Sequence, residues 1–379
     1  MVADRQDDPD TAEAAQSPRL VLSAPNALIG NRVRAHLAAM GVQAEESDLG
    51  LCIACPAVRW QTLLESLAVD LSATERRDTR VAVICPEDGR AAVSRSIFRS
   101  HSLEEMLCGL QHDWLQQIID RDRIIMHLQP ILQFPPGRLH GYECLMRGVD
   151  QHGAIVPPLT MFQGARQLGR LNELDGKCLL AALRAAAKLR ASELTIFINV
   201  SPGVIEHPTR QLPQMMKQMD DCGLRPQQIA LELVETEQVA DQPGLKSALR
   251  CYRKAGFKVA LDDVGAGYSS LLALSRLRPD YIKLDGELVR HAASSALEAK
   301  LVADLAETAR QHHILTIAEG IETPAQFRLA LDCGIRLTQG FFHARPSADA
   351  LSQAETYRLT DRASVAAGAT ANAPCSRDI

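Results

Sequence analysis

The feature that most constrains this chain is a series of short apolar segments that each end in an acidic or other polar side chain. The clearest reads KVALDDVGAG, an apolar run that stops at Asp262 and Asp263 and is followed by a glycine turn. Similar segments deliver, in chain order, Glu143, Arg147, Asn199, Glu232, Glu235, Lys283, Glu319, Glu322 and Gln339. In folds of parallel strands, functional groups gather at the carboxyl ends of the strands. The pattern therefore predicts one site built from many strand ends.

The order of strands and helices predicts the fold that carries this site. From about residue 123 onward, apolar strand candidates alternate with helical segments, several of which end at a glycine, as helix C-termini often do. Eight such strands between residues 123 and 357 match a (β/α)₈ barrel, which typically takes about 250 residues. The predicted fold class is α/β: a (β/α)₈ TIM-like barrel at 123–357, preceded by a small α/β domain.

Residues 19–100 form that small domain, a possible degenerate receiver-like or regulatory unit. RLVLSA, LGLCIAC and RVAVICP read as strands with helical segments between them, and this βαβαβ order predicts a partly parallel sheet. The likeness to a receiver domain is one of outline only. The first strand ends at Ser23-Ala24 and the third at Cys85-Pro86, without a phosphorylatable aspartate.

The remaining segments are two tails and a connection. Residues 1–18 are polar and acidic, and residues 358–379 are rich in alanine, so both are predicted to be disordered. Residues 101–122 are predicted to form a linker helix that begins with a capping box, Ser102 and Glu105. This helix either couples the two domains or only packs on the second one.

Charge and cysteine content exclude several classes of protein. A net charge of −5 argues against a binder of nucleic-acid polymers, which needs a basic surface. The chain has no secretory signal pattern and no apolar run long enough to span a bilayer. Cys52 and Cys55 form a lone CxxC without a second ligand pair, which favours free thiols over zinc. We therefore expect a cytoplasmic protein without a membrane segment.

The side chains at the strand ends indicate a particular chemistry. The candidate ligands carry only oxygen donors, the type that selects Mg²⁺ or Mn²⁺ over zinc: Glu143, Asn199, Glu232, Asp262 and Asp263. So many carboxylates would repel one another without cations, and two ions in one site suit displacement at phosphorus. Lys283 would supply a positive charge, while Glu319 and Glu322 could orient or deprotonate water or complete the metal shell. For Glu322 a helix-capping role is equally open.

These segments, in this order, resemble the EAL-domain family of cyclic-di-GMP phosphodiesterases. The resemblance extends from Gln129-Pro130-Ile131 to Arg345-Pro346. The motifs that carry it are Glu143-Cys144-Leu145 with Arg147, Asn199-Val-Ser201, Glu232-Leu-Val-Glu235, Asp262-Asp263-Val-Gly-Ala-Gly267, Lys283, Ala318-Glu319-Gly320-Ile321-Glu322, and Gln339-Gly340.

The resemblance implies a barrel that hydrolyses cyclic-di-GMP to linear pGpG with two Mg²⁺ or Mn²⁺ ions. It assigns catalysis to Glu143, Lys283, Glu319 and Glu322, and adds Glu319 to the metal ligands. It also implies substrate contacts from Gln129, Leu145, Arg147 and Gln339, and a loop positioned by Glu235, Gly265 and Gly267. The expected partners are cyclic-di-GMP, a second copy of the barrel, and an unknown regulatory partner or signal at the N-terminal domain. Arg147 could instead pair structurally with an acid.

Four positions depart from the family pattern. Cys144 replaces alanine beside a proposed ligand, and on a strand its side chain should point away from the site. Val264 and Ala266 replace a phenylalanine and a threonine of the family's loop, and Val234 replaces the threonine between the paired glutamates. None of the three is a proposed ligand. These changes leave two alternatives open: an EAL domain of low or no activity that binds cyclic-di-GMP as a receptor, or a module for protein interaction.

Overall fold

A computed structural model describes residues 18–84, 100–189, 193–233, 244–265 and 268–366. The chain forms two compact units, Met1–Gln117 with Gln163–Gly169, and Ile118–Phe162 with Arg170–Ile379. Two of the three unit boundaries fall within helices, Asp113–Asp120 and Pro158–Gln167, and the third follows Gly169.

The first unit contains a small sheet with helices packed against it. Its elements are β1 (Arg19–Ser23), α1 (Ala27–Ala39), β2 (Ala44–Ser47), β3 (Gly50–Ile53), α2 (Trp60–Val69), α3 (Ala73–Asp78), β4 (Arg80–Ile84), β5 (His101–Ser102), α4 (Leu103–Gln111) and the start of α5 (Asp113–Asp120). The apolar core joins residues of β1, β3 and β4 to the buried sides of α1, α2 and α4. Cys52 and Cys55 are free thiols.

The predicted partly parallel sheet is wrong. The strand order is β2-β3-β1-β4-β5, and each described pairing in it is antiparallel. The cause is β2, a largely exposed polar strand that its sequence does not reveal, which forms a hairpin with β3 (Ser47 opposite Gly50). The hairpin reverses the chain, so each helical crossover joins parallel strands that have an antiparallel strand between them. The βαββαβ order from β1 to β4 is the ferredoxin-like arrangement.

The predicted linker helix at 101–122 is two helices. The capping box is present, since Ser102 Oγ accepts from Glu105 N and Glu105 Oε2 accepts from Ser102 N. However, α4 ends at His112, whose backbone N–H bonds to the carbonyls of Cys108 and Leu110, and α5 begins directly afterwards. Because Leu103 and Leu107 belong to the core of the first unit, α4 is part of that unit.

The second unit is a closed barrel, which confirms the predicted fold class. Its strands are β6 (Ile124–Gln133), β7 (Arg138–Val149), β8 (Ile155–Val156), β9 (Thr195–Val200), β10 (Ile229–Leu233), β11 (Lys258–Val264), β12 (Tyr281–Leu284), β13 (Leu315–Ala318) and β14 (Leu337–Thr338). They pair in the order β6-β14-β13-β12-β11-β10-β9-β7, and a β6–β7 pairing closes the ring, with β8 added to β7.

Helices connect most of these strands. They are α6 (Pro158–Gln167), α7 (Leu171–Lys188), α8 (Pro202–Ile205), α9 (Pro208–Cys222), α10 (Leu245–Lys254), α11 (Tyr268–Leu277), α12 (Gly286–Ala292), α13 (Ala296–Gln311), α14 (Pro324–Asp332) and α15 (Gln353–Ala366). The strands from β7 to β14 pair in parallel, except where β6 and β8 join them. β6 runs antiparallel to both of its neighbours and is joined to β7 by a hairpin rather than a helix, which the alternating pattern does not predict.

An apolar layer fills the inside of the barrel. It is contributed by alternate strand positions: Ile131, Phe197, Ala230, Ala260, Tyr281, Ile317 and Leu337. The middle strands are buried along their whole length, as is typical of parallel strands covered by helices. Because side chains on a strand alternate between two faces, the residue two positions along from each core residue also faces the barrel interior.

The predicted disordered tail at 358–379 is wrong for its first part, because α15 runs to Ala366. The segment leading into this helix is anchored where Leu351 N donates to Tyr142 Oη on β7, and Thr360 and Ala363 are buried. Residues 367–379, like the N-terminal tail at 1–17, lie outside the described residues. Across the described ranges, α15 included, we find no helix with the length and apolar character needed to cross a membrane.

Candidate active site

A polar layer lies directly above the apolar layer of the barrel. On six of the seven parallel strands its residue stands two positions after a core residue: Asn199, Glu232, Asp262, Lys283, Glu319 and Gln339. On the seventh, β7, the residue is Glu143. On the antiparallel β6 it stands two positions before a core residue, as Gln129 precedes Ile131, and Gln129 is paired with Glu143 of β7. The predicted convergence of the strand ends is therefore what the barrel produces.

Lys283 lies at the centre of this layer. Its side chain is 1% exposed, and Nζ is 2.5 Å from Glu232 Oε1, 2.6 Å from Glu319 Oε1, 3.2 Å from Glu143 Oε2 and 3.4 Å from Asp262 Oδ1. Burial by itself would lower the pKa of this lysine, but the surrounding carboxylates outweigh it and hold the pKa well above the usual range. Lys283 is therefore a permanent cation.

One cation cannot balance the carboxylates around it. Burial raises the pKa of Glu232 well above its ordinary value, although Lys283 opposes the shift. Burial likewise raises the pKa of Glu319 to about 8 against the pull of Lys283, with Asp262 and Glu143 adding repulsion. For Asp263, burial and the neighbouring Asp262 raise the pKa to about 6. The site therefore holds excess negative charge that favours protons or metal cations.

The two consecutive aspartates reach the same region because the strand is irregular there. On a regular strand, Asp262 and Asp263 would point to opposite faces. The pairing of β11 with β12 shifts register between Leu261 and Val264, and Asp263 has a left-handed φ of 50°. Carboxylate oxygens of Asp262, Asp263 and Glu319 consequently lie within 4.8 Å of one another. Bulges that redirect a side chain in this way are common next to active sites.

Three amide side chains surround Glu143. Asn199 Nδ2 donates to Glu143 Oε1 at 3.1 Å, and Gln339 Nε2 donates to Glu143 Oε2 at 2.6 Å and to Gln129 Oε1 at 3.1 Å. Both oxygens of Glu143 are thus held in place, and the side chain is only 8% exposed. Cys144, the next residue, is buried and does not line the site, which agrees with the alternation of strand side chains.

A cavity of about 260 Å³ opens above these groups. It is lined by Gln129, Glu143, Asp262, Lys283, Glu319, Gly320, Glu322, Gln339, Gly340 and Phe341. Phe341 is a cavity residue that the sequence analysis did not predict. It is 46% exposed, and the Arg345 guanidinium lies 4.2 Å from its ring centroid. An aromatic residue directly after Gln339-Gly340 at a strand end is the signal that could have revealed it.

Four of the remaining predicted residues are placed differently from the others. Leu145 and Arg147 lie on β7 but do not line the cavity, and Arg147 Nη1 donates to the carbonyl of Met146 at 2.7 Å. Glu235 and Gly267 fall outside the described residues, as do Val234 and Ala266.

Gly265 is described and has a positive φ of 108°. A Cβ at this position would lie 2.5 Å from Leu288 Cδ2. The turn after Asp263 is therefore pressed against α12 at a point where a larger side chain would be strained.

The arrangement fits divalent cations held by oxygen. Glu232 is fully buried, and its Oε2 has no hydrogen-bond partner among the described residues, a costly situation that a bound cation would relieve. The Asp262, Asp263 and Glu319 oxygens are close enough to share an ion. Carboxylate and amide oxygens are the donors that Mg²⁺ and Mn²⁺ prefer.

Comparison with known proteins identifies the family. The chain belongs to the EAL domain family, whose model matches residues 112–346, and this confirms the resemblance seen in the motifs. The protein named "Probable cyclic di-GMP phosphodiesterase PdeB" from Escherichia coli is 32% identical over 256 residues, which cover 65% of this chain and 47% of that protein. The chain therefore matches less than half of this relative's length.

Solved structures agree with this assignment. The phosphodiesterase MucR of Pseudomonas aeruginosa in complex with cyclic-di-GMP is 26% identical with a TM-score of 0.56, covering 63% of this chain and 97% of that one. A standalone EAL protein from Vibrio cholerae in its cyclic-di-GMP-bound form is 27% identical with a TM-score of 0.52, covering 59% and 92%.

Proposed function

We propose that this protein is a cyclic-di-GMP phosphodiesterase that hydrolyses its substrate to linear pGpG with two Mg²⁺ or Mn²⁺ ions. The single observation that carries the proposal is the ring of carboxylates around Lys283 at the strand ends of an EAL barrel. Relatives named as cyclic-di-GMP phosphodiesterases support the substrate.

The chain's own residues divide the work of the reaction. Glu143, Asn199, Glu232, Asp262, Asp263 and Glu319 would hold the cations. When bound, two such ions lower the pKa of a water nucleophile and stabilise the leaving oxygen. Lys283 keeps its charge and orients Glu232 and Glu319 through short contacts. Without cations the pKa of Glu319 is about 8, so near neutral pH this side chain holds a proton that it would release when a cation binds.

Other residues would hold the substrate in the cavity. Gln129 and Gln339, already joined to each other, present amide groups at the cavity wall, and Phe341 offers an exposed ring for a base to stack on. Glu322 lines the same cavity, where it would orient or deprotonate water. Its backbone N–H donates to Gln326 Oε1 at the start of α14. Leu145 and Arg147 lie on β7 but do not line this cavity, so their proposed substrate contacts rest on the family resemblance alone.

The regulatory part of the proposal concerns the loop after Asp263 and the first unit. Glu235, Gly265 and Gly267 would position this loop, and two barrels would associate as a homodimer. The small α/β domain at 19–100 would receive a signal or partner and pass its effect through 101–122 to the barrel at 123–357.

Hydrolysis of cyclic-di-GMP tests the proposal directly. We expect pGpG from the wild type with Mg²⁺ or Mn²⁺ and none from Glu143→Gln, which keeps the size of the side chain but removes a charged ligand. Glu307→Gln, at an exposed position of α13, serves as the matched control and should keep full activity. If the wild type binds cyclic-di-GMP in Ca²⁺ but forms no product with Mg²⁺ or Mn²⁺, the protein is a receptor and the proposal is wrong.

A further inference from the structure

The turn after β9 is tied to the helix that precedes it in the chain. Ser201 Oγ donates to Asp175 Oδ2 at 2.5 Å, and Asp175 lies on α7 with only 7% of its surface exposed. Burying a carboxylate costs folding free energy unless the carboxylate is hydrogen-bonded. The hydroxyl of Ser201 supplies a bond that holds the two elements together.

The helix is a rigid support for this contact. α7 packs against the barrel through one buried side, formed by Leu174, Cys178, Leu179, Ala182, Leu183 and Ala186. The first turn of α7 also lies close to the same segment, since a Cβ added to Gly203 would lie 3.3 Å from Asn172 Oδ1. Ile205, which ends the short helix α8, is fully buried. The segment 201–205 is therefore held by the Ser201 hydrogen bond and by the burial of Ile205.

This segment begins two residues after a proposed metal ligand. Asn199 is paired in register with Glu232 on β10, and its Nδ2 donates to Glu143 Oε1 at 3.1 Å. With its amide nitrogen committed to Glu143, Asn199 directs its oxygen away from that bond. The direction of the oxygen depends on the backbone at the end of β9, which the Ser201 contact holds.

We propose that Asp175 and Ser201 act as a positioning pair that fixes the end of β9 so that Asn199 presents its amide oxygen to a divalent cation. The inference rests on the proposed function, because it assumes that the site takes such a cation. Neither residue of the pair touches the substrate. Groups that orient metal ligands in this way typically contribute about 10- to 100-fold to metal affinity or activity.

The test measures Mn²⁺ affinity by calorimetry without substrate, together with kcat, KM and melting temperature. Ser201→Ala should weaken Mn²⁺ binding about tenfold or more and lower kcat more than it raises KM. Asp175→Asn keeps an acceptor for the serine hydroxyl, so it should lose less Mn²⁺ affinity than Ser201→Ala. The matched control is Thr195→Val at the other end of β9, which removes the acceptor of a partly buried 3.2 Å hydrogen bond from Lys258. It should lower the melting temperature and leave Mn²⁺ affinity unchanged.

The outcomes separate this inference from the proposed function. If the wild type binds Mn²⁺ and hydrolyses cyclic-di-GMP while Ser201→Ala binds Mn²⁺ equally well, the positioning role is wrong and the phosphodiesterase remains. If the wild type binds Mn²⁺ but does not hydrolyse cyclic-di-GMP, and Ser201→Ala binds Mn²⁺ more weakly, the positioning role stands and the phosphodiesterase proposal fails. Equal losses of Mn²⁺ affinity in Thr195→Val, or no Mn²⁺ binding by the wild type, would overturn the inference.

Discussion

Replacing Lys283 by methionine should destabilise the metal-free barrel more than replacing a lysine that has no buried carboxylates around it. The substitution keeps the apolar stem but leaves four carboxylates, all within 3.4 Å of the lost ammonium group, without their cation. Removing one partner of a buried ion pair costs about 3–5 kcal/mol of unfolding free energy. For a unit of this size, that loss corresponds to about 6–20 °C in melting temperature.

The loss should depend on pH with a definite sign. The pKa values of Glu319 and Asp263 in the folded protein, about 8 and about 6, lie above their unfolded values. Through these two groups the folded state binds more protons between about pH 4 and 8, so their contribution to metal-free stability falls as pH rises through this window. Without Lys283 the carboxylates repel one another more strongly when they are ionised. The variant should therefore lose more unfolding free energy, relative to the wild type, at pH 8 than at pH 5.

Urea unfolding in a chelator at both pH values is the assay, with Lys258→Met as the matched control. Lys258 also lies inside the barrel wall, but its partners are the hydroxyls of Thr195 and Tyr281 at 3.2 and 3.3 Å. The loss of unfolding free energy in Lys258→Met should be smaller, and its pH dependence should be limited to the part that comes from His140, whose pKa burial and Lys258 lower. If Lys283→Met and Lys258→Met lose equal free energy, or if the Lys283→Met loss is the same at pH 5 and pH 8, the electrostatic reasoning is refuted.

Three further predictions concern the cavity and the core beside it. Phe341→Ala should raise the KM for cyclic-di-GMP about tenfold with little change in kcat, because it removes a base-stacking surface, while Phe341→Tyr should retain it. Gly340→Ala should reduce folded yield and melting temperature, since its Cβ would lie 2.2 Å from the Ile321 carbonyl oxygen. Burial lowers the pKa of His343 to about 4, so the contribution of His343 to the unfolding free energy should fall as pH drops from about 6.5 to 4. The His343→Gln variant should lose about 3 kcal/mol of this pH dependence in urea titrations; an unchanged slope would contradict the assignment.

Much of the candidate site could be predicted from the sequence, because in the barrel the spacing of a residue along its strand decides whether its side chain enters the polar layer. Every residue two places after an apolar core position on a parallel strand enters the same layer, so the strand-end pattern alone is enough to group Glu232, Lys283 and Glu319. The resemblance to the EAL family added Gln129, which lies two places before a core residue on an antiparallel strand. Phe341 was missed because an exposed aromatic residue carries no periodic signal of its own.

The sequence by itself determined the α/β class, the strand-end acids and the family, because these depend on side-chain periodicity and on motifs a few residues long. The tertiary structure decided which strands are neighbours and in which direction they run, since hydrogen bonds between distant segments set both. It made β6 antiparallel, converted the first sheet to antiparallel pairing through the β2–β3 hairpin, and extended α15 into the predicted tail. It also placed the irregularity that brings Asp262 and Asp263 together, and it buried Lys283 among carboxylates that lie far apart in the chain.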